Sequence, residues 1–317
     1  MIVRPFGRTG WDVSAIGLGT WNLGNQWGEL SDATAWATVR AAFDAGVNLY
    51  DAAESYGVPN GLSEERLGVG LAGIRHRVYV VTKIGHWGQR TGQGVPYTTV
   101  DMIRLCCHAC LHRLRTDWVD VLLCHEGDIA DPAVYLEAFE VLQKRGRIRE
   151  YGISTDSLDV LKRFNADGNC AVCEINYSLL NRAPEAEMLP YCRRNNIAVL
   201  LRGPLAQGLL AGRYTAETVF RDSVRARWHD GGERQAKFLA DVAKVERLKA
   251  AAAPGEEMVT AALRFGISHP AQPVAIPGAK SPEQAAMNVA AGMSRAAGLE
   301  LMKSTPEQRS RRQQARL

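Results

Sequence analysis

The fold is decided by the stretch WVDVLLCHEGDIADPAVYLEAFEVLQKRGRIREYGIST, residues 118–155. It begins with an apolar run at 118–125, continues with a segment of amphipathic helix spacing at 132–145, and ends with a second β-rich run at 148–154. Strands that alternate with helices pair in parallel through right-handed crossovers. The stretch therefore predicts one strand–helix–strand unit of an α/β protein.

The same alternation extends over most of the chain. Strands are predicted at 13–20, 47–51, 78–83, 118–125, 148–154, 171–176, 197–201 and 273–277. Helices are predicted at 32–45 (with Ser31 as a cap), 63–72, 99–114, 132–145, 157–165, 185–195, 256–268 and 282–291. Eight such units predict an α/β fold of the (β/α)8 TIM barrel type. A doubly wound fold is the alternative, but no helix begins after the glycines of GLGTWNLG, residues 17–24.

Three segments are additions to the barrel within a single domain, residues 1–317. Residues 1–14 contain an R-T-G turn between two short runs, which predicts a hairpin that plugs the barrel floor. Residues 203–237 are predicted to form a long loop after the seventh strand, on the active face, and loops of that length are usually functional. Residues 292–317 form a basic C-terminal tail.

Composition narrows the function classes. The net charge of +4 is located in residues 303–317, which contain five basic residues and one acidic residue. The rest of the chain is therefore neutral, and a nucleic-acid partner is not expected. No apolar run is long enough for a membrane span, and the N-terminus lacks a secretory pattern. Seven cysteines, an odd number, indicate a reducing cytoplasm rather than a disulfide framework, and no metal site is expected.

Polar side chains stand at the ends of three consecutive strands. Asp51, Lys83 and His125 end the second, third and fourth strands, and Tyr56 follows in NLYDAAESYG, residues 48–57. The catalytic groups of such barrels lie at the C-terminal strand ends. Each residue alone is more simply explained as a turn or a solvated group, whereas four together predict one site.

These four residue types suit a proton donor. A tyrosine is a poor acid at neutral pH, so we expect a neighbouring ammonium to lower its pKa and a carboxylate to pair with that ammonium. The histidine would orient a carbonyl oxygen or pass a proton. The set offers no hydride, which the protein must borrow from a cofactor.

The sequence resembles the aldo-keto reductase superfamily over roughly residues 1–291. The motifs that carry the resemblance are GLGTW, NLYDAAESYG, SEERLG, VVTK, LLCH, YGIS, YSLL, PLAQGLLAGRY and IPGAKSPEQAAMN, in that order. These motifs resemble those of the bacterial and potassium-channel β-subunit-like branches more than those of mammalian aldose reductases. The resemblance implies a barrel that binds NAD(P)H without a Rossmann domain. It also implies Tyr56 as general acid, with Lys83, Asp51 and His125 around it.

The resemblance also implies a cofactor site along the barrel mouth. The residues expected there are Gly19, Thr20, Trp21, Asp51, Ser154, Thr155, Glu174, Arg202, Gly203, Leu205, Gln207, Gly208, Gly212, Ile276, Gly278, Lys280, Gln284 and Asn288. Of these, Ser154 and Glu174 would meet the nicotinamide amide. Lys280 would favour NADP over NAD by its charge on a 2′-phosphate.

Three positions depart from the family pattern. Thr155 stands where Asn is usual, Glu174 where Gln is usual, and Arg202 where a stacking Tyr is common. Our hypothesis is that Glu174 and Arg202 form an ion pair in which Arg202 covers the nicotinamide. In the alternative, Arg202 turns away and meets a phosphate.

The expected reaction is reduction of an aldehyde, ketone or sugar carbonyl, or oxidation of the alcohol. Trp21, Tyr56, Trp87 and His125 are the candidate substrate contacts, and Trp27 and Trp228 fall in loops on the same face, although about half of these indoles should be packing residues. Two alternatives stay open: a weakly catalytic or non-catalytic nicotinamide-binding redox sensor, and an aldolase with Lys83 as a Schiff base. Homo-oligomerisation is possible.

Overall fold

The protein is a (β/α)8 barrel, as the sequence predicts. The computed structural model describes residues 1–229, 231–251, 255 and 257–293. A parallel eight-stranded sheet runs in the order β10-β9-β8-β7-β6-β5-β4-β3. Parallel bridges from Ile16 to Ala275 and from Gly19 to Gly278 join its two edges. The barrel strands are β3 Leu18–Gly19, β4 Leu49–Asp51, β5 Tyr79–Ile84, β6 Val119–Cys124, β7 Ile148–Ser154, β8 Val172–Asn176, β9 Ala198–Arg202 and β10 Val274–Ala275.

Helices cover the outside of the sheet. They are α1 Asp32–Asp44, α2 Leu62–Gly70, α3 Val100–Leu114, α4 Ala133–Lys144, α5 Leu158–Phe164, α6 Met188–Arg194, α7 Gly232–Ala251, α8 Met258–Ile267 and α9 Pro282–Ala290. Ser31 caps α1 as predicted, since its side chain accepts a hydrogen bond from the Thr34 amide. Thr99, Ser157 and Ser281 begin α3, α5 and α9 in the same way.

The N-terminal hairpin closes the floor of the barrel. It pairs β1 (Val3–Pro5) with β2 (Asp12–Ser14) in antiparallel fashion. Its buried Phe6 and Val13 join the apolar cluster inside the strands, which includes Leu49, Val81 and Val121. The inward-facing side chains of the strands are thus covered at the end opposite the strand C-termini.

Two predicted boundaries are wrong. The first strand was expected at 13–20, but Ser14 pairs with the hairpin, and the barrel strand contains only Leu18 and Gly19. The Ser14 side chain donates to the Ile16 carbonyl between the two short strands. One apolar run therefore supplies two strands, which periodicity alone does not separate.

The long loop is also shorter than predicted. Helix α7 begins at Gly232, inside the expected loop of 203–237, and continues to Ala251. Its buried side chains Phe238, Val242, Val245 and Leu248 recur at helical spacing within a charged segment, and this signal identifies the helix. Of the basic tail expected at 292–317, only Gly292 and Met293 are described, and the rest lies outside the described residues.

Candidate active site

A large open cavity occupies the C-terminal ends of the strands. Its volume is about 1200 Å³, and Tyr56 and His125 are among the residues that line it. Fifteen of the residues expected to bind the cofactor line it. They are Gly19, Trp21, Asp51, Ser154, Thr155, Arg202, Gly203, Leu205, Gln207, Gly208, Ile276, Gly278, Lys280, Gln284 and Asn288. Thr20, Glu174 and Gly212 lie behind this lining.

Three side chains from β4, β5 and the loop after β4 meet at the cavity floor. The Lys83 ammonium donates to both carboxylate oxygens of Asp51 at 2.6 Å, to the Ala52 carbonyl at 3.0 Å, and to the Tyr56 hydroxyl at 3.3 Å. Lys83 and Asp51 are buried. Parallel pairing of β4 with β5 brings the two strand ends, and with them Asp51 and Lys83, together.

The loop that carries Tyr56 is held from both sides. The Tyr56 amide donates to the Ala53 carbonyl at 3.0 Å, and the Gly57 amide donates to the Gln26 side chain at 3.1 Å. Gly24 packs so closely on this turn that a Cβ there would lie 2.6 Å from the Gly57 Cα. The hydroxyl therefore faces the cavity from a fixed position above Lys83.

The electrostatics of Tyr56 differ from the sequence expectation. Burial raises the pKa of Tyr56, and the carboxylates of Asp51 and Glu174 add to this effect, so the opposing Lys83 ammonium does not lower it below the ordinary value. Burial also disfavours the Lys83 ammonium, but Asp51 and Glu174 outweigh that cost and raise the pKa of Lys83. Tyr56 is therefore protonated and Lys83 is charged at neutral pH.

His125 and His86 form a stacked pair beside Tyr56. The two imidazole centroids are 4.3 Å apart, and the His125 and Tyr56 rings are nearly perpendicular, with centroids 6.0 Å apart. His125 follows β6, where its amide donates to the Ile84 carbonyl. Sequence reasoning missed His86, which lines the cavity two residues beyond β5. A search limited to the last residue of each strand misses His86, and a search that includes the first loop residues finds it.

A buried carboxylate fixes the His86 loop. Glu54 Oε1 accepts hydrogen bonds from the amides of Gly85, His86 and Trp87 and from the Tyr97 hydroxyl, at 2.5 to 3.2 Å. Burial raises the pKa of Glu54, although these hydrogen bonds act against the shift. Glu54 therefore connects the Tyr56 loop to the loop that presents His86 and Gln89.

The expected ion pair between Glu174 and Arg202 does not form. Glu174 is fully buried, and its Oε2 lies 3.1 Å from the Lys83 nitrogen. Arg202 instead pairs with Asp156, and both side chains are exposed. The reason is position along the strands: Glu174 pairs with Leu200 inside the barrel, whereas Arg202 lies two residues further on, at the mouth, where it pairs with Asn176.

The cavity also extends over the segments that follow β9 and β10. The segment after β9 turns sharply, and Gly208 has a φ of +92°. A Cβ at Gly278 would lie 1.8 Å from the Asn22 side chain, so that position excludes any larger residue. Lys280 follows β10, and its ammonium donates to the Trp27 carbonyl at 2.8 Å. Lys280 is thus a cation within the cavity lining.

The long segment after β9 is held in place by contacts with the loop that carries Gln26 and Trp27. The Arg225 guanidinium forms a bidentate ion pair with Asp222 and lies 5.1 Å from the Trp27 ring centroid. Ser223 donates to the Gln26 carbonyl at 2.9 Å. Arg225, Arg234 and Lys237 also line the cavity, which sequence reasoning did not predict. Their positions depend on the path of the segment after β9 and of α7, and the sequence pattern does not give that path.

The tryptophans divide as expected into cavity and packing residues. Trp21, Trp27 and Trp228 line the cavity, and the Trp21 ring stacks on Tyr56 with centroids 5.7 Å apart. Trp87 lies outside the lining, and the Arg113 guanidinium is 4.7 Å from its ring centroid. Thus the structure brings Trp21, but not Trp87, to the position expected for a substrate contact.

The described part of the chain contains neither a group of side chains arranged as a metal site nor a helix that could span a membrane. Within the described ranges, no three His, Cys, Asp or Glu side chains are arranged to hold a metal ion. The cysteines of CCHACLH, residues 106–112, are buried thiols of α3. No helix in the described part of the chain is both long and apolar enough to cross a bilayer.

Known proteins match this chain over nearly its whole length. The model of the Aldo/keto reductase family matches residues 15–296. The aldo-keto reductase YhdN of Bacillus subtilis (strain 168) is 33% identical over 284 residues, which are 87% of this chain and 84% of the relative. The NADH-specific methylglyoxal reductase of Escherichia coli (strain K12) is 32% identical over 232 residues, 68% of this chain and 71% of that protein.

Solved structures share the fold. The holo form of aldo-keto reductase AKR11C1 from Bacillus halodurans superposes with a TM-score of 0.77 and 27% identity, covering 98% of this chain and 99% of that one. An aldo/keto reductase from Klebsiella pneumoniae in complex with NADP and acetate gives a TM-score of 0.68 at 30% identity, covering 94% and 92%.

Proposed function

Because this chain belongs to the aldo/keto reductase family, whose members here include named reductases, we propose that it reduces an aldehyde, ketone or sugar carbonyl with NADPH, with Tyr56 as the general acid. One observation carries the proposal. A protonated Tyr56 hydroxyl faces the open cavity, 3.3 Å from a buried Lys83 ammonium. A bound nicotinamide cofactor supplies or accepts the hydride.

The residues divide the remaining work. Tyr56 donates its proton to the substrate oxygen as that oxygen gains negative charge, and Lys83 stabilises the phenolate that is left. Asp51 holds the ammonium at 2.6 Å. His125 and Trp21 flank the hydroxyl and are the groups proposed to orient the carbonyl. In alcohol oxidation the same proton moves in the opposite direction.

NADPH is proposed over NADH because of Lys280. Its ammonium lines the cavity, where it donates to the Trp27 carbonyl at 2.8 Å. A 2′-phosphate would gain a charge-assisted hydrogen bond from it. The Klebsiella pneumoniae structure contains NADP, whereas the Escherichia coli relative is named NADH-specific, so relatives of this chain use either cofactor.

The redox-sensor and aldolase alternatives are less well supported. A sensor does not need a hydroxyl held against a buried ammonium. A Schiff-base lysine must be neutral, whereas the pKa of Lys83 is raised by Asp51 and Glu174. The substitution Tyr56→Phe tests the proposal directly.

We expect Y56F to lower carbonyl reduction by about 10²–10⁴-fold, since it removes a general acid without changing the ring. Turnover is measured by nicotinamide absorbance with a panel of aldehydes, ketones and sugars, and NADPH and NADH affinities by fluorescence titration. Cofactor affinity should stay unchanged in the variant, and the wild type should bind NADPH more tightly. Tight cofactor binding by the wild type without turnover of any substrate would support the sensor instead.

A further inference from the structure

We propose that Asp51 and Glu174 share one proton beside the Lys83 ammonium, and that Glu174 is a positioning residue that sets the protonation of Tyr56. Its effect reaches Tyr56 through Lys83, since Glu174 does not line the cavity. The kinetic part of the inference rests on the proposed function, whereas the shared proton itself does not.

The first argument is a shortage of hydrogens. Five oxygen atoms lie within 3.3 Å of the Lys83 nitrogen: two from Asp51 and one each from Ala52, Glu174 and Tyr56. An ammonium has three hydrogens. Glu174 Oε2 is buried and accepts no hydrogen bond from the residues that the structure describes. An additional proton between the two carboxyls would satisfy this oxygen.

The second argument is charge. Two carboxylates and one ammonium give the cluster a net charge of −1, and the side chains of Lys83, Asp51 and Glu174 are at most 3% exposed. A buried, uncompensated charge is costly, and such groups neutralise by binding a proton. Two carboxyls that share one site cannot both ionise easily. One proton brings the cluster to neutrality.

Every element around the pair supports this assignment. Tyr56 follows β4, Lys83 is on β5, and Ser154 on β7 lies 3.3 Å from Glu174 Oε1. Cys173 precedes Glu174 on β8, and burial together with its Cys192 hydrogen bond raises the pKa of its thiol, so it adds no charge. Burial and the Glu174 carboxylate raise the pKa of Asp51 well above its usual range, against the attraction of Lys83.

The shared proton can reprotonate Tyr56 through Lys83 after the reaction. When Tyr56 has donated its proton to the substrate oxygen, Lys83 returns one of its protons to the phenolate. Lys83 then takes the proton of the Asp51–Glu174 pair, which ends as two carboxylates. One proton moves at each step, and water restores the pair after the cavity opens.

The substitution Glu174→Gln tests the proton in the protein without cofactor. The amide keeps the size of the side chain but does not titrate. We expect the infrared spectrum of the wild type at neutral pH, minus that of E174Q, to show the C=O band of one protonated carboxyl. Glu140→Gln on the exposed face of α4 is the matched control and should leave that band in place. A difference spectrum without the band would overturn the inference.

Stability gives a second readout. The folded-state pKa of Asp51 lies above its unfolded value, so the stability from the shared proton is present at low pH and is lost as the pH rises through the folded-state pKa. The melting temperature of E174Q relative to the wild type should therefore increase with pH. A pH-independent difference between the two would contradict a titrating pair.

The pH profile of turnover links the pair to Tyr56. Removal of the Glu174 carboxylate lowers the pKa of Tyr56, so the loss of reductase activity at high pH should begin about one pH unit lower in E174Q. An unchanged profile would show that Glu174 does not act on Tyr56. If no carbonyl compound is reduced, the proposed function fails, while the infrared and melting measurements still decide whether the proton is shared.

Discussion

Two ion pairs at the ends of barrel strands have similar chemistry and opposite surroundings. Lys83 and Asp51 are at most 3% exposed, whereas Arg202 and Asp156 are 39% and 49% exposed. Water solvates the second pair whether or not it forms, so the pair adds little to stability. The first pair has no water to replace a lost partner. Burial, rather than the distance between charges, therefore decides which pair the fold and the chemistry depend on.

The largest effect is expected when the buried pair is broken by Lys83→Met. This change leaves the carboxyls of Asp51 and Glu174 without a cation, so we expect the free energy of unfolding at neutral pH to fall by about 3–5 kcal/mol. Because those carboxyls then take up protons in the folded state, the loss should shrink as the pH is lowered. Chemical denaturation at several pH values measures both effects.

The control for this change is Lys144→Met, which removes an exposed lysine from its pair with Glu140 on α4. It should alter stability by less than about 1 kcal/mol. If K83M does not fold, the double variant K83M/E174Q, with one carboxyl fewer to bury, should recover part of the stability. Equal stability losses in K83M and K144M would contradict the contrast between the two environments.

An intermediate effect is expected at Glu54, which is buried but accepts hydrogen bonds instead of pairing with a cation. Glu54→Ala leaves the Gly85 and His86 amides and the Tyr97 hydroxyl without their acceptor, while the Trp87 amide retains the Tyr97 oxygen. We expect a loss of about 1–3 kcal/mol and lower turnover, because the His86 loop is released. Glu54→Gln is the control: it keeps an acceptor oxygen, and burial already favours an uncharged group there, so it should cost less. An E54Q loss as large as that of E54A would show that the charge, not the acceptor, is required.

The smallest effect is expected at the exposed pair. Asp156→Asn removes the charge that faces Arg202 but keeps an oxygen for the Asn176 amide, which donates to Asp156 at 2.8 Å. We expect a change below about 1 kcal/mol, and a difference from the wild type that disappears at high salt. A loss comparable to that of K83M, measured under the same denaturation conditions, would mean that exposure does not separate the two pairs.

Most of the fold was predictable because it depends on patterns local in sequence. Strand and helix alternation gave the eight units, and the bounds of β7, Ile148–Ser154, agree with the prediction. The errors have physical causes. Residues 13–20 divide between hairpin and barrel at Ser14, whose side chain donates to the Ile16 carbonyl and accepts from the Asn48 amide between the two strands. Helix α7 is rich in charge, and its apolar positions were not recognised as one face.

The site was predictable where it depends on strand ends. Asp51, Lys83 and His125 follow from the rule that reactive groups stand at the C-terminal ends of barrel strands. The ion-pair partners of these strand-end side chains could not be predicted from the sequence. Glu174 and Arg202 lie on adjacent strands, yet one side chain contacts Lys83 in the barrel interior and the other contacts Asp156 at the rim. Sequence spacing gives the strand but not the neighbour that a side chain reaches.

The sequence by itself determined the barrel and the positions of Asp51, Lys83 and His125 at strand ends, because periodicity and strand ends are properties of the chain. Only the tertiary structure decided that Glu174 joins Asp51 around one ammonium, and that burial keeps Tyr56 protonated instead of lowering its pKa. These outcomes depend on which charges lie together out of water. That arrangement is created by residues far apart in the sequence, from Asp51 to Glu174, when the parallel strands close into a ring.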